Sequence, residues 1–395
     1  MIEQAIILAA GEGQRLRPFT AGRPKVMLKV GGKPLLEYVI QAVSDNGIRD
    51  VVIVTGYHRE QILDYFGGGA AWGIDIHYVV QEQQAGTAHA LAQAAGWADD
   101  EFLILPGDHF IDGRTIKDIC HADSPALLTA LVPEADTVRY GVLELVDGMV
   151  RSVVEKPREP CCAPVSTGIF AFDRSVFDYL AGEADLPGVI NRVVGDGVEI
   201  KAIPVDGPWL DIVFPRDILA LNSFLLLQNP EKVIEGVVED GVAIRGNVVT
   251  GAGTRIRSGS YLTGPVIIGG GCDIGPGTVI GSGSSIGHNV RIGPHCVIEN
   301  SVIGDDVEMG AGCFLASGVI DGGCRIGPGF RAPEGAIVLV VEAGAESEST
   351  GSMIGRNCRI GPGVVSLPGS IIGNDCDVAA LKVISGCIAD ASRIV

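Results

Sequence analysis

An aliphatic side chain returns every sixth residue through the second half of this chain, and that rhythm constrains the fold more than any other feature. Ile256, Leu262, Ile268, Ile274, Ile280, Ile286, Ile292 and Ile298 are each six apart, and those at 268, 274, 280, 286 and 292 are followed directly by Gly. The phase then slips by one residue and resumes at Ile303, Met309 and Leu315, then slips again to Ile320 and Ile326. A last run reads Ile354, Ile360, Ile372, Val378 and Ile384, with Ser366 at its weak place. A fixed period of this kind marks a repeat architecture. Three hexads make one triangular coil, in which each aliphatic side chain fills the interior at a flat face. Small residues stand two places earlier, where the turn leaves little room: Thr254, Thr278, Ser284, and the cysteines 272, 296, 313, 324, 358 and 376. Six of the ten cysteines are thus packing residues. With no C-x-x-C pair, and with Cys161 and Cys162 adjacent, buried thiols in a reducing cytoplasm are expected rather than disulfides or a metal cluster. Residues 329–352 break the period and are expected to project as a loop.

At 395 residues the chain exceeds one ordinary core. Before the hexads, short apolar runs (Ile6–Leu8, Val51–Val54, His77–Val80, Phe102–Leu105, Leu127–Leu131) alternate with helical patterns at Leu35–Asn46, Glu60–Phe66, Thr87–Ala95 and Thr115–His121. That alternation predicts an α/β domain with a mostly parallel sheet covered by helices on both faces. We divide the chain into residues 1–212, a connector at 213–234 built on a helix over Pro215–Leu227 that Asn229–Pro230 ends, and the repeat domain at 235–395. The net charge of −19 argues against a nucleic-acid surface. No apolar run is long enough to span a membrane, and with the sequence entering a strand at once no signal peptide is expected.

Ligands of such sheets bind beyond the carboxyl ends of the strands. There, the run ending at Leu8 and Ala9 opens into a loop holding Gly11 and Gly13, and Arg15, Arg17, Arg23 and Lys25 follow. A glycine loop presents backbone N–H groups to an anion, and the cations complete a phosphate cradle. The P-loop spacing is absent, and the dinucleotide fingerprint lacks its third glycine and its acidic residue, since the next strand ends in Thr55.

The segment LAAGEGQRLRPFTAGRPKVMLKVGGKPLLEY resembles the signature of the sugar-1-phosphate nucleotidylyltransferases almost continuously from Leu8 to Tyr38. The resemblance implies a Rossmann-like nucleotidyltransferase domain and gives each motif a role. Leu8, Ala9, Gly11 and Gly13 would meet the nucleotide, Arg15 the departing pyrophosphate, and Lys25 the transferred phosphate. QEQQAGTAHAL would read the base through Gln81, Gly86 and Thr87. LPGDH and WLDI would supply Asp108 and Asp211 for Mg²⁺, a hard cation suited to carboxylate and phosphate oxygens. Gly141 after Tyr140, Glu155 in VVEKP, and Ser166 and Thr167 in VSTGIFAF would contact the sugar, with Ser166 where many members have Asn. GTAHAL resembles the uridylyltransferases, which points to UTP or dTTP, with N-acetylglucosamine-1-phosphate or glucose-1-phosphate as the acceptor.

Hexapeptide-repeat families imply a left-handed parallel β-helix for the second half. A nucleotidylyltransferase followed by such a helix resembles the bifunctional uridylyltransferases of the bacterial and archaeal type, whose helix is an acetyltransferase using acetyl-CoA. It also resembles pyrophosphorylases in which the helix is structural or regulatory, and translation-factor exchange subunits that act as scaffolds. His295 lies near the family's catalytic His and is either that base or a turn residue. Ser317 replaces the Asn of the GAGCFLASGVID segment, and the stretch that would grip CoA phosphates reads AESESTGSMIG, acidic rather than basic. Side-by-side assembly as a homo-oligomer, a trimer above all, follows from the same resemblance.

Overall fold

In a computed structural model, which describes residues 2–228, 232–341 and 344–395, the apolar runs of the first half become the strands of one nine-stranded sheet. Strands β1 (Gln4–Ala9), β2 (Asp50–Thr55), β3 (Asp75–Val80) and β4 (Glu101–Pro106) lie side by side in the order β3-β2-β1-β4, all parallel. A short strand β5 (His109–Ile111) follows β4 outside this sheet. Strands β6 (Ala126–Ala130), β7 (Gly141–Val146), β8 (Met149–Glu155), β9 (Val165–Asp173) and β10 (Lys201–Pro204) complete the order as β3-β2-β1-β4-β9-β6-β10-β8-β7. Strand β11 (Trp209–Asp211) pairs with β5 instead.

The sheet is therefore mixed rather than mostly parallel. Strand β9 runs antiparallel to both β4 and β6, and β8 antiparallel to β7 and β10. The cause is local. Asp147 and Gly148 both adopt positive φ, 52° and 77°. Asp-Gly in that conformation makes the tight two-residue turn that closes a hairpin and matches strand twist.

Helices α1 (Leu35–Asp45), α2 (Arg59–Phe66), α3 (Thr87–Gln93) and α4 (Gly113–Lys117) form where the helical patterns stand, α4 continuing into a 3₁₀ turn at Ile119–His121. Helix α5 (Leu186–Gly195) is an addition to the expected set. Along β1 the side chains alternate between two cores: Ala5, Ile7 and Ala9 pack toward α1 and α2, and Ile6 toward α3 and α5. The helix expected over Pro215–Leu227 forms as α6 (Asp217–Gln228), while the expected stop at Asn229–Pro230 lies outside the described residues.

The second half is a left-handed β-helix of three parallel sheets, with nine, nine and eight strands. Ile256, Ile274 and Ile292 stack directly on one another, as do Leu262, Ile280 and Ile298. All are buried in one continuous core. The residues two places earlier do more than save space. Cys272 Sγ donates to Gly287 O at 3.1 Å, Cys324 Sγ to Gly355 O at 3.0 Å, Cys358 Sγ to Gly373 O at 3.0 Å, and Thr278 Oγ1 to Gly293 O at 3.1 Å. Each ties its coil to the carbonyl of the next, in place of a turn donor the backbone lacks. The ten cysteines are free.

Where the flat face carries a small residue, the corner enlarges. Ala332 and Ser366 occupy interior positions in line with Leu315 and Ile384. Phe330 and Val364, two places before them, are fully buried. The weak place at Ser366 is thus filled from the corner. Residues 329–352 also differ from the expected loop. Phe330 to Ala332 stay in the coil, and Gly335–Val341 then pairs antiparallel with Gly344–Thr350 as a hairpin.

The three outward faces differ in chemistry. One presents Val302, Val319 and Met353 to Leu16, Phe19, Leu28, Ile212 and α6 of the first half, in a shared apolar cluster. The second carries charged residues in register: Arg255, Asp273, Arg291, Glu308 and Arg325. The third carries half-buried Tyr261, Val279, Val297, Phe314 and Val365, with exposed Arg331 in register between the last two and its guanidinium over the Phe314 ring.

The interface between the halves also holds ion pairs. Lys29 Nζ lies 2.6 Å from Asp305 Oδ2. Partial burial works against the Asp305 carboxylate, but Lys29 and the His288 N–H hold its pKa below the ordinary value. Its stabilisation is complete above the unfolded value of about 3.9 and is lost as pH falls through the lowered folded value. Asp305→Asn is therefore expected to lower the thermal midpoint at pH 7, by an amount that shrinks below about pH 4. Melting curves across that range check this, and a pH-independent difference would refute it.

Candidate active site

The glycine loop leaves β1 at the carboxyl end of the sheet. Gly13 has φ 67°, and a Cβ there would stand 2.9 Å from the Lys25 Cβ, so glycine is what lets the two ends of the loop close on each other. Gly13 O accepts from Thr20 Oγ1 at 2.8 Å and from Leu16 N at 2.9 Å. Leu8 O accepts from Gly107 N at 2.9 Å, and Ala10 O from Gln84 Nε2 at 3.0 Å, which ties the loop to the start of two neighbouring segments. Ala9 is buried, whereas Gly11 is exposed with open space around it.

The four cations do not all face the cradle. Arg17 pairs with Glu12 at 2.9 Å, and Arg23 pairs with Asp321 of the β-helix. Arg15 is exposed, on a 3₁₀ turn, and has no partner among the described residues. Lys25 is largely buried. Its Nζ lies 2.6 Å from Asp108 Oδ2 and 3.5 Å from Asp211 Oδ1.

Two aspartates a hundred residues apart meet because of one strand pair. Asp108 follows β4 through Gly107, and the β5–β11 pairing sets Asp211 opposite His109. Burial opposes charge on both sides of the Lys25–Asp108 contact, and the partner overcomes it. The Lys25 ammonium holds Asp108 at about 2, while Asp108 and Asp211 raise Lys25 above its ordinary value. His109 completes the cluster: its Nδ1 accepts from Trp209 Nε1 at 3.1 Å, so Nε2 carries the proton toward Asp211 Oδ1 at 3.5 Å. His109 and Trp209 are not among the expected site residues, although each sits inside the motif of its aspartate, LPGDH and WLDI. Beside Asp211 opens a cavity of about 830 Å³ lined by Leu131, Arg139, Tyr140 and Trp209. Arg139 reaches Asp217 at 3.3 Å and lies 5.7 Å from the centre of the Tyr140 ring.

The expected base and sugar residues are placed unevenly. Gln81 is buried, and its amide nitrogen is engaged by Gly86 O at 3.0 Å and His89 Nδ1 at 2.9 Å, which leaves its carbonyl oxygen. The close approach that Gly86 permits is to protein: a Cβ there would stand 2.1 Å from Ala184 O. Thr87 Oγ1 accepts from Leu186 N at 2.9 Å, capping the start of α5. Gly141 and Glu155 face each other across the β7–β8 pair, with Glu155 exposed and paired to Lys156 at 3.1 Å. Ser166 Oγ accepts from Gly168 N at 3.2 Å at the irregularity in β9. Thr167 is corrected: only 1% exposed, its hydroxyl donates to Leu128 O at 3.0 Å, so its side chain braces the sheet and cannot offer itself to a sugar.

His295 has φ 57° at an exposed corner of the coil, and its ring lies over Gly277 of the coil before it.

A glycine loop at the carboxyl end of a Rossmann-like sheet, a lysine between two carboxylates and an appended β-helix are the features of a nucleotidyltransferase with a hexapeptide-repeat domain. The Nucleotidyl transferase family matches residues 4–227, more than half of the chain, and the chain belongs to it. The GMPPB C-terminal domain family matches residues 262–346. The chain is 33% identical over 283 residues to a glucose-1-phosphate thymidylyltransferase of Streptomyces antibioticus, covering 68% of this chain and 78% of that one. It is 33% identical over 263 residues to the bifunctional protein GlmU of Methanococcus maripaludis, covering 64% of this chain and 61% of GlmU. To the UTP–glucose-1-phosphate uridylyltransferase AglF of Haloferax volcanii it is 35% identical, over 54% of this chain and 93% of AglF. Among solved structures, a candidate glucose-1-phosphate thymidylyltransferase of Bacillus anthracis in complex with sucrose superposes with TM-score 0.52 at 26% identity, over 57% of this chain and 95% of that one. No helix among the described residues is long and apolar enough to cross a membrane.

Proposed function

We propose that this chain transfers a nucleoside monophosphate from UTP or dTTP to a sugar-1-phosphate, N-acetylglucosamine-1-phosphate or glucose-1-phosphate, releasing pyrophosphate. The observation that carries the reading is Lys25 Nζ held between Asp108 and Asp211 at the mouth of the glycine loop. An oxygen of the sugar phosphate attacks the α-phosphate in line and pyrophosphate leaves, so the protein's task is to align two anions and offset their charge. Lys25 would hold the transferred phosphate against the sugar phosphate. Arg15, unpartnered and exposed, would close on the pyrophosphate. Leu8, Ala9, Gly11 and Gly13 would line the triphosphate, Gln81 and the Gly86–Thr87 turn the base, and Gly141, Glu155 and Ser166 the sugar.

The donor set fits Mg²⁺: two carboxylates converge beside Lys25, with no third acidic ligand among the described residues, as suits an ion that keeps waters and takes phosphate oxygens. Asp108 and Asp211 would hold it, and it would supply charge neutralisation at the phosphates. A matrix of triphosphates against sugar-1-phosphates with Mg²⁺, read as pyrophosphate, tests the reading. Absence of turnover with every pair would favour a scaffold.

Acetyl transfer is a second reading, favoured by the likeness to bifunctional GlmU, which this chain matches over less than two thirds of GlmU's length. It would need acetyl-CoA and a base, the role open to His295 at its exposed corner. Release of free CoA with glucosamine-1-phosphate would support it.

We also infer a homo-oligomer, a trimer above all. The supporting feature is the third outward face of the β-helix, where Tyr261, Val279, Val297 and Phe314 line up beside a face of ion pairs. Phe314→Asp is expected to shift the protein to a smaller species in light scattering while keeping its fold. An unchanged mass would refute the use of that face.

A further inference from the structure

Between Gly13 and Lys25 the loop contains no strand and no α-helix of its own. Its backbone is held from outside, on two sides. Tyr57 Oη donates to Ala21 O at 2.8 Å, and Gln61 Nε2 donates to Gly22 O at 2.8 Å, both from the first half. The β-helix supplies the other grip. Asn374 Nδ2 donates to Pro18 O at 2.9 Å in a buried contact. The Arg356 guanidinium reaches Gly22 O at 3.4 Å and fills the space a Cβ at residue 22 would need. Asp321, 9% exposed, takes the Arg23 guanidinium. Its Oδ1 accepts from Gly322 N at 2.8 Å, which fixes the carboxylate plane.

Simple adhesion of the two halves does not call for these groups. Leu16, Phe19, Val302, Val319 and Met353 already supply it with apolar area. A poorly exposed ion pair carries a desolvation cost and contributes little net adhesion, but it fixes geometry. What it fixes here is close to the chemistry. One residue, Pro24, separates Arg23 from Lys25, and its ring holds φ near −60°. A displacement at Arg23 therefore passes to Lys25 rather than being absorbed between them.

We propose that Asp321 is a positioning residue for the transfer reaction: through Arg23 it fixes the loop that presents Lys25, so the β-helix completes the nucleotide site of its own chain. The inference rests on the nucleotidyl-transfer reading for its kinetic consequence, and on the loop contacts alone for its structural one.

Asp321→Asn keeps the shape and removes the charge. It is expected to lower kcat roughly 10- to 100-fold, the scale of an ångström-level misplacement, with KM for the sugar phosphate within about twofold, on the same scale argument. Amide exchange across residues 14–28 should quicken, and Asp321→Glu should recover most of the lost turnover. A kcat within about twofold of the parent, even with a lowered melting midpoint, would assign Asp321 to adhesion and overturn the proposal. Should the parent release no pyrophosphate with any substrate pair, nucleotidyl transfer itself fails. The exchange measurement then decides: quickened exchange at 14–28 supports positioning, and unchanged exchange overturns it.

Discussion

Replacing Lys25 by alanine is expected to lower kcat by about 10²- to 10³-fold, the usual consequence of removing a preorganised charge from the transferred group. Binding of the sugar-1-phosphate alone should change far less, because Gly141, Glu155 and Ser166 lie on β7, β8 and β9 rather than on the loop. The variant also leaves Asp108 and Asp211 facing each other without the ammonium between them. Asp108 is held at about 2 against burial mainly by Lys25, so its pKa should climb toward the ordinary carboxylate range in the variant. Steady-state kinetics with saturating triphosphate, together with sugar-phosphate binding measured separately, checks the split. Turnover near that of the parent would end the assignment of Lys25. Lys25→Arg is a useful companion, because it keeps the charge while losing the compact ammonium that fits between two carboxylates.

The largest stability effect is expected at Phe330. Its ring is fully buried at a corner of the β-helix and fills space that Ala332 leaves empty on the flat face. Phe330→Ala removes the only large side chain of that pair, and Ala332 cannot expand into the void. Such truncations cost about 3–5 kcal/mol. The exchanged pair, Phe330→Cys with Ala332→Ile, puts the small residue back at the corner and the large one on the face. It is expected to recover most of the loss. Denaturant titrations of the two variants check this. A single variant as stable as the parent, or a double variant no better than the single, would show that the corner is not what fills that coil.

The legibility of these features in sequence differs for physical reasons. The hexads could be read because every flat face of a coil asks for one inward apolar side chain, whatever its neighbours do. The cysteines were readable as small residues, but their role as donors to the next coil depends on carbonyl positions that only the fold creates. Asp147–Gly148 is a written hairpin signal, and it pairs β7 antiparallel with β8. The cations of the loop could be counted but not assigned. Arg17 finds Glu12 five residues away, whereas Arg23 finds Asp321 on the far half of the chain. Asp108 and Asp211 came from family motifs, and the β5–β11 register is the reason they meet. Thr167 misled because a threonine at a strand irregularity satisfies its hydroxyl inward, which no pattern of neighbouring residues announces.

The three outward faces of the β-helix turn residue number into a map of consequence. Moving along the chain, a substituted side chain passes in turn over the surface fused to the first half, the charged wall and the apolar wall, and then the cycle restarts one coil later. On the proposed reading, polar replacements should therefore be silent on one wall, weaken the proposed assembly on another, and disturb turnover on the third, with the inward positions intolerant throughout. A variant of unknown effect in this half can be sorted by counting its offset from the nearest stacked isoleucine.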